Sequence, residues 1–248
     1  MPQLDERARH EIEHGKLLAA SGNPETIWWW GSPAGQKRAQ RRGQLLTQGA
    51  QLKPGLRVLE VGCGTGLFTE MMAQSGASIL AVDISPDLIE LARKRVYPVG
   101  TVELAVMRFE DCDINEPFDA IVGSSVLHHL DIPLALRRMY ELLKPGGMLV
   151  FAEPNMLNPQ IFLQRNIGFL RESVGESPDE TAIRRWELAK QLATVGFSQI
   201  DIRNTDWLHP STPPTFISLL WNVGLVLEHI PFIREFSGSV LIRAQRPL

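Results

Sequence analysis

The chain has few cysteines, no long run of lysine or arginine, and no apolar segment suited to crossing a bilayer. Two cysteines cannot form a disulfide framework, and with an N-terminus that lacks an apolar signal core they predict a cytoplasmic protein. Without a histidine cluster, they also predict no metal site. The formal charge of −3 argues against a nucleic-acid partner, because binding of that kind neutralises many phosphates.

The chain does have 44% apolar residues over a length of 248, enough to bury one large core. We therefore expect a single domain over residues 1–248. Composition divides it into an N-terminal helical element at 1–50, a core at 51–153, and two insertions at 154–180 and 207–233.

Segments typical of strands and helices alternate along the core, as a parallel sheet requires, since each pair of parallel strands needs a crossover. Strands are expected at 57–61, 78–83, 102–107, 118–123, 148–152, 198–204 and 238–244. Helices are expected at 1–22, 32–51, 67–75, 86–95, 133–143 and 180–195. Ser32-Pro33, Ser85-Pro86 and Asp131 supply helix start signals.

The segment from Val58 to Gly66 carries the strongest functional signal. A run of β-favouring residues leads into a turn with Gly62, Gly64 and Gly66, and only glycine lets a main chain approach a ligand closely. Asp83 ends the next apolar run, where a carboxylate can accept hydrogen bonds from both hydroxyls of a ribose. The pattern predicts a site for a nucleoside cofactor.

The glycine spacing bears on which nucleoside binds. In the dinucleotide fingerprint the third glycine would fall at Leu67, where a side chain crowds the close packing that makes room for a pyrophosphate. A nicotinamide-dependent oxidoreductase is therefore the weaker alternative.

The G-x-G-x-G turn after Glu60 resembles the first motif of the class I S-adenosylmethionine (AdoMet) dependent methyltransferases. The resemblance covers roughly residues 50–155, and its further blocks follow in the family's order at Asp83, Glu110-Asp111-Cys112, Phe118-Asp119, Ser125 to Leu130, and Leu143 to Gly147. It implies an α/β, Rossmann-like fold with a seven-stranded, mostly parallel sheet, helices on both faces and an antiparallel last strand.

The resemblance also implies AdoMet as cofactor, S-adenosylhomocysteine as product and a small-molecule acceptor, without a metal. Asp83 would hold the ribose, Ile84 would pack on the adenine, and Asp111 would meet the adenine amino group. The implied cofactor contacts are Glu60, Gly62, Cys63, Gly64, Gly66, Asp83, Ile84, Asp111, Cys112 and Ser124. A non-catalytic subunit that binds AdoMet would retain the same residues, so that alternative stays open.

Two histidines follow the fourth predicted strand, where the turn faces the transferred methyl group in this fold. An imidazole can take a proton near neutral pH, so His129 is the candidate catalytic residue, with a structural role for His128 and His129 as the alternative. Glu153, at the tip of the fifth strand, is a second candidate for positioning the acceptor.

Aromatic and basic residues are concentrated before the first strand. The run Trp28-Trp29-Trp30 indicates either packing on the core or a lid over the site. Lys37, Arg38, Arg41 and Arg42 are typical of a solvated helix face, although one arginine could reach the carboxylate of AdoMet.

The apolar segment 207–233 has three interpretations. It packs on the sheet, or lines a pocket for a hydrophobic or aromatic acceptor, or forms a homodimer contact, because a large apolar patch normally has a partner. It is too short and too interrupted for a membrane span.

Overall fold

The computed structural model describes residues 6–112, 114, 116–166 and 185–248. Its strands are β1 (Arg57–Val61), β2 (Ser78–Asp83), β3 (Val102–Val106), β4 (Phe118–Ser124), β5 (Leu143–Pro154), β6 (Ser198–Thr205) and β7 (Ser239–Gln245). Its α-helices are α1 (Glu6–Ala20), α2 (Pro24–Ile27), α3 (Pro33–Gly49), α4 (Leu67–Ala73), α5 (Pro86–Ala92), α6 (Ile132–Leu142), α7 (Pro159–Asn166), α8 (Arg185–Val195) and α9 (Pro214–Leu227).

The strands form one seven-stranded sheet in the order β3-β2-β1-β4-β5-β7-β6. Strands β1 to β5 pair in parallel, whereas β7 runs antiparallel to both of its neighbours. The α/β fold with a reversed last strand, which the resemblance implied, is confirmed.

Each face of the sheet buries its own apolar cluster. Because side chains alternate along a strand, Val58 packs among residues of α3, α4 and α5, while Leu59 packs on the other face with α6 and α8. The helices therefore lie on both faces and leave the carboxyl ends of the parallel strands open to a ligand.

The predicted helix starts are confirmed by their caps. The hydroxyl of Ser32 accepts a hydrogen bond from the amide of Gly35 at 2.9 Å, and that of Ser85 accepts one from Leu88 at 3.3 Å. The carboxylate of Asp131 does the same for Leu134 at 3.0 Å. Each bond satisfies an amide that the first helical turn leaves without a partner.

Some predicted boundaries were wrong. Helices α4 and α5 end earlier than expected, at Ala73 and Ala92, and α1 is described only from Glu6. Strand β5 begins five residues before its predicted start, at Leu143, because a register shift against β4 accommodates the Pro-Gly-Gly turn within the strand. The predicted helix 180–195 is described from Arg185, and its first residues lie outside the described part.

The segment 207–233 does not pack on the sheet as a unit. Residues 207–210 form a loop, whereas α9 buries only Gly224 and exposes a stripe of large apolar side chains. The stripe consists of Phe216, Leu219, Leu220, Val223 and Val226. Across the described ranges, no helix combines the length and apolarity needed to cross a membrane.

Candidate functional site

A cavity of about 580 Å³ opens at the carboxyl ends of β1, β2 and β4. This volume lies within the range of small-molecule sites, about 300–1,000 Å³. One wall is the predicted cofactor side, which includes Gly62, Cys63, Gly64, Asp83 and Ile84. The fold thus brings most of the predicted contacts together on one surface.

At the glycine turn, the backbone conformation and the close neighbours leave no room for side chains at Gly62 and Gly64. Gly62 and Gly64 have φ angles of +66° and +52°, which other residues rarely adopt. A Cβ atom on Gly62 would lie 2.3 Å from the side chain of Val126, and one on Gly64 would lie 3.3 Å from the ring of Trp28. The backbone at this turn can therefore contact a ligand directly.

Asp83 ties the turn to β2. Its Oδ2 accepts a hydrogen bond from the amide of Gly64 at 2.7 Å, and its Oδ1 accepts one from Ser85 at 2.9 Å. Burial raises the pKa of Asp83, and the two amide bonds act against that shift. Each oxygen retains a lone pair, so the carboxylate can also accept hydrogen bonds from a diol.

Glu60 lies behind the turn rather than on the cavity wall. Its side chain is buried, and its Oε2 has no hydrogen-bond partner among the described residues. Burial, reinforced by the charge of Asp83, raises the pKa of Glu60 to about 7. The direct cofactor contact predicted for Glu60 therefore stays a prediction that the cavity geometry does not favour.

The acidic block after β3, Glu110-Asp111-Cys112, was expected to meet the adenine through Asp111 and Cys112, but the structure places a different residue of the block at the cavity. Glu110 lines the cavity, whereas Asp111 and Cys112 do not. The amide of Cys112 already donates to the carbonyl of Phe109 at 3.1 Å. The adenine contacts predicted for Asp111 and Cys112 remain predictions, and Glu110 is the acid that faces the cavity.

Leu67 and Cys63 also lie on the cofactor side, and they bear on the dinucleotide alternative and on thiol reactivity. Leu67, where a dinucleotide site would need glycine, lines the cavity at the start of α4. Cys63 is buried there, and burial raises the pKa of its thiol well above the usual range. The sulfur is therefore a neutral packing group, not a nucleophile.

The arginines of α3 do not form a solvated face, and that interpretation was wrong for Arg42. Arg38 pairs with Asp206, with Nε and Oδ2 2.7 Å apart. Arg41 pairs through both of its terminal nitrogens with Glu228, at 2.5 and 2.6 Å. Arg42 is only 6% exposed and lines the cavity.

Arg42 is bound by hydroxyls instead of a carboxylate. Its guanidinium donates to Ser124, Ser125 and Ser239 at 3.2, 2.9 and 2.6 Å. Burial lowers the pKa of Arg42 to about 10, so the group still carries its charge at neutral pH. A buried cation at a cavity, with no salt-bridge partner in the described part of the chain, fits an anionic group of a ligand.

The tryptophan run lines the cavity, as do the N-terminal helix residues Arg7, Ala8, Glu11, His14, Gly15 and Leu18. Trp30 packs edge-to-face on Phe68 with ring centroids 5.6 Å apart. Gly15 brings α1 close to the start of α5, since a Cβ atom there would lie 2.4 Å from the hydroxyl of Ser85, which caps that helix. The described part of the N-terminal element, residues 6–50, thus covers the cofactor side of the cavity.

A cluster of charged and polar residues centred on Arg95 links this covering element to the glycine turn. Arg95 donates to the carbonyl of Thr65 and to Glu70, both at 2.6 Å, and also bonds Glu25 of α2. Thr65 in turn donates to Glu25 at 3.0 Å. The tryptophans that follow α2 are therefore positioned relative to the turn.

Both histidines of the turn after β4 line the cavity, and each meets a carboxylate. Nδ1 of His128 lies 2.6 Å from Oε2 of Glu153, and Nδ1 of His129 lies 3.2 Å from Oε1 of Glu11. Glu153 is fully buried and does not line the cavity. The role of Glu153 in positioning the acceptor stays a prediction, and any such role has to act through a residue that lines the cavity.

The wall opposite the glycine turn contains residues of both predicted insertions. They are Pro154, Asn158, Gln160, Ile161, Trp207, Leu208, His209 and Pro210. A ring nitrogen of His209 lies 2.9 Å from the amide nitrogen of Gln160, which joins the two insertions. The pocket interpretation of 207–233 thus fits residues 207–210 and not α9. Residues 167–184 lie outside the described part.

No group of three or more His, Cys, Asp or Glu side chains within the described residues is arranged to hold a metal ion.

Residues 59–149 match the family model of the methyltransferase domain. A ubiquinone biosynthesis O-methyltransferase of Xanthomonas campestris pv. campestris is 35% identical over 161 residues, covering 62% of this chain and 65% of that protein. The protein of the same name from Xanthomonas axonopodis pv. citri is 36% identical over 153 residues, covering 59% and 62%. The matches thus span less than two thirds of these curated relatives.

Solved structures share the fold. The N-methyltransferase NodS from Bradyrhizobium japonicum, in complex with S-adenosylhomocysteine, has a TM-score of 0.64 at 19% identity, covering 96% of this chain and 100% of that one. The [4+2]-cyclase SpnF has a TM-score of 0.67 at 19% identity, covering 96% of each chain. At such identities the likeness shows the fold alone, and one of these two proteins is named as a cyclase.

Proposed function

We propose that the chain is a class I AdoMet-dependent methyltransferase that transfers a methyl group from AdoMet to a small, hydrophobic or aromatic acceptor. The match of residues 59–149 to the methyltransferase domain and the 35% identity to an O-methyltransferase support this. One observation carries the proposal. A single cavity joins the glycine turn and Asp83 to a second wall built by the insertions, so a donor and an acceptor can meet inside it. Holding both reactants in line can supply about 7–11 kcal/mol of the barrier.

The cofactor side fits AdoMet in charge and shape. The glycine turn offers backbone at close range, Asp83 offers acceptors for the ribose, and Arg42 offers a buried cation for the carboxylate. When bound, AdoMet supplies a methyl group already activated by its positively charged sulfur. The protein then has to bind and orient the reactants, exclude water and accept a proton where the acceptor carries one.

The opposite wall supports an aromatic acceptor. Trp207 gives this wall a flat apolar surface, and Trp28, Trp29 and Trp30 of the covering element add others around the same cavity, on which a planar ring can stack. The curated relatives are named O-methyltransferases of ubiquinone biosynthesis. We therefore take oxygen of an aromatic hydroxyl as the accepting atom.

We also propose that two copies of the chain associate through α9. Its outward stripe is uncharged, and Val226 and the nearby Phe232 are 61% and 85% exposed. Such a patch on the surface favours a partner, and a second copy supplies an identical one. The charge of −3 and the two cysteines favour a cytoplasmic protein without a nucleic-acid partner.

Calorimetric titration of the full chain with AdoMet and with NADH tests the cofactor. We expect AdoMet to bind and NADH not to, and binding of NADH alone would overturn the proposal. D83A should weaken AdoMet binding by about 1–3 kcal/mol, a roughly 5- to 150-fold loss, since buried acceptors for the ribose disappear. D201A, on the distant strand β6, is the control and should leave the affinity unchanged.

A screen of phenols and catechols for a product heavier by one methylene group tests the reaction itself. AdoMet binding without transfer to any acceptor would favour the non-catalytic subunit.

A further inference from the structure

A buried carboxylate holds in place one of the two histidines in the turn after β4. Oε1 of Glu153 accepts hydrogen bonds from the amides of Val126 and Leu127 at 3.0 and 2.9 Å, and its Oε2 lies 2.6 Å from Nδ1 of His128. His128 lines the cavity and Glu153 does not. Glu153 can therefore act on a substrate only through His128.

The hydrogen bonds fix where the protons lie. Burial acts to raise the pKa of Glu153, but the bond to His128 and the two amides outweigh it and hold that pKa below its ordinary value. An ionised carboxylate only accepts, so Nδ1 of His128 carries a hydrogen. Whenever the ring is neutral, its lone pair is therefore on Nε2, which is the atom that can act as a base.

The framework distinguishes the two histidines. His128 is fixed by Glu153, the last residue but one of β5, and β5 is a central strand paired on both sides. His129 meets Glu11, which belongs to the N-terminal helix α1. Groups held by the sheet stay closer to one geometry than groups held by a peripheral helix.

We propose that His128, and not His129, is the general base of the reaction and that Glu153 is its positioning residue. The inference rests on the proposed function and adds that the acceptor is a hydroxyl that must lose a proton. That proton passes to Nε2 of His128 while an electron pair of the oxygen forms the new bond to the methyl carbon. The pair of the broken carbon–sulfur bond stays on sulfur, which becomes a neutral thioether, and the imidazolium later releases its proton to water.

Nitrogen–proton correlation spectra of the histidine rings test the dyad without any acceptor. In the full chain we expect His128 to carry its proton on Nδ1 at neutral pH, with H128Q assigning the signal. In E153Q the amides of Val126 and Leu127 still need the side-chain oxygen, so the new NH₂ group faces Nδ1 and the proton should move to Nε2. A wild-type ring protonated on Nε2 alone would overturn the inference.

Two catechol probes test the base. The hydroxyls of 3,4-dihydroxybenzoate are largely protonated at pH 8, whereas 4-nitrocatechol is largely ionised there and needs no base. H128Q should lower kcat/KM for the first probe about a hundred-fold or more and affect the second far less. Equal losses on both probes, or a selective loss in H129Q instead, would contradict the assignment. H229Q, an exposed histidine away from the cavity, is the matched control.

The pH profile separates a positioning role from a structural one. The charged groups facing the dyad are His129 with Glu11, Arg7, whose guanidinium bonds the carbonyl of His128, and Arg42. E153Q keeps these groups and removes the carboxylate that stabilises the imidazolium. The acidic limb of kcat should therefore move to lower pH while the plateau falls, and an unmoved limb would leave Glu153 without the proposed role.

Three measurements, namely AdoMet binding, methylation of the catechols and the histidine ring spectra, separate the role of His128 from the proposed function. A chain that binds no AdoMet overturns the function, and one that binds AdoMet but methylates neither catechol overturns the hydroxyl acceptor. In both cases the ring spectra still decide whether Glu153 fixes the tautomer of His128. Calorimetry with AdoMet on H128Q and E153Q confirms that each variant is folded.

Discussion

Arg42 shows how a single charged side chain can reveal which part of a ligand it binds. Its three hydroxyl partners satisfy its donors without neutralising its charge. Hydrogen bonds between charged groups contribute about 1.5–3 kcal/mol. The missing negative charge at this point of the cavity is thus the structural reason for assigning the carboxylate of AdoMet to Arg42.

R42M should lower the affinity for S-adenosylhomocysteine roughly 10- to 150-fold. This range corresponds to the loss of a charged hydrogen bond of about 1.5–3 kcal/mol. Binding of 5′-methylthioadenosine, which lacks the amino acid part, should be unchanged. Calorimetry with both ligands measures the difference. R42K retains the charge and should recover part of the loss, whereas equal losses for both ligands would mean that Arg42 acts only on the fold.

Glu60 makes the stability depend on pH. Its pKa is about 7 in the folded chain against 4.5 without the fold, so the folded state holds a proton that the unfolded state releases between these values. The free energy of unfolding therefore falls as the pH rises from 4.5 towards 7. Relative to wild type, E60Q should gain stability from pH 5 to pH 8, by up to about 3 kcal/mol.

Urea unfolding of the ligand-free protein at pH 5 and pH 8 measures this gain. E103Q changes an exposed glutamate of β3 and should show no such difference. If E60Q shifts the stability equally at both pH values, the burial of an ionisable group at this position is not what the variant has relieved.

Helix α1 contributes to the site by close contact with Ser85, which caps α5 two residues after Asp83. Gly15 sits so near the Ser85 side chain that any Cβ atom would overlap it. G15V should therefore push α1 away from Asp83, weaken AdoMet binding and expose the N-terminal residues to protease. K16V places the same β-branched residue at the next, exposed position of the helix and controls for helix propensity.

Calorimetry and limited proteolysis of the two variants test this contact. Equal behaviour of G15V and K16V would show that α1 contributes nothing to binding of the cofactor.

Strands and helix starts were predictable because their causes are local. Apolar runs bounded by glycine and proline located the strands, and capping residues located α3, α5 and α6. The position of α1 over the cavity was not predictable, because it depends on packing between Gly15 and Ser85, which are distant in sequence. The early start of β5 depends likewise on pairing with β4.

Some residues of the site were likewise predictable from the sequence, whereas others were not. The glycine turn and Asp83 were found from spacing alone, and the cavity confirms that they share a wall. Arg42 was one of four equivalent basic residues in the sequence. Only the fold shows that Ser124, Ser125 and Ser239 converge on it, whereas its neighbours Arg38 and Arg41 are neutralised by acids.

The association of two chains depends on the surface of the protein as a whole. If α9 forms the contact, replacing two residues of its stripe by charge, as in L219E/V223E, should convert a dimer to a monomer in light scattering after gel filtration. V99E, at an exposed loop position elsewhere, controls for the added charge. A wild-type protein that is monomeric at high concentration would overturn the proposed contact.

The unneutralised guanidinium of Arg42 also bears on how long the protein survives in a cell. A carboxylate that binds only the folded chain stabilises it by mass action, and unfolded chains are the ones that proteases remove. If AdoMet binds as proposed, the steady amount of this protein should therefore rise and fall with the supply of AdoMet, so that starvation for methionine lowers the amount of the protein.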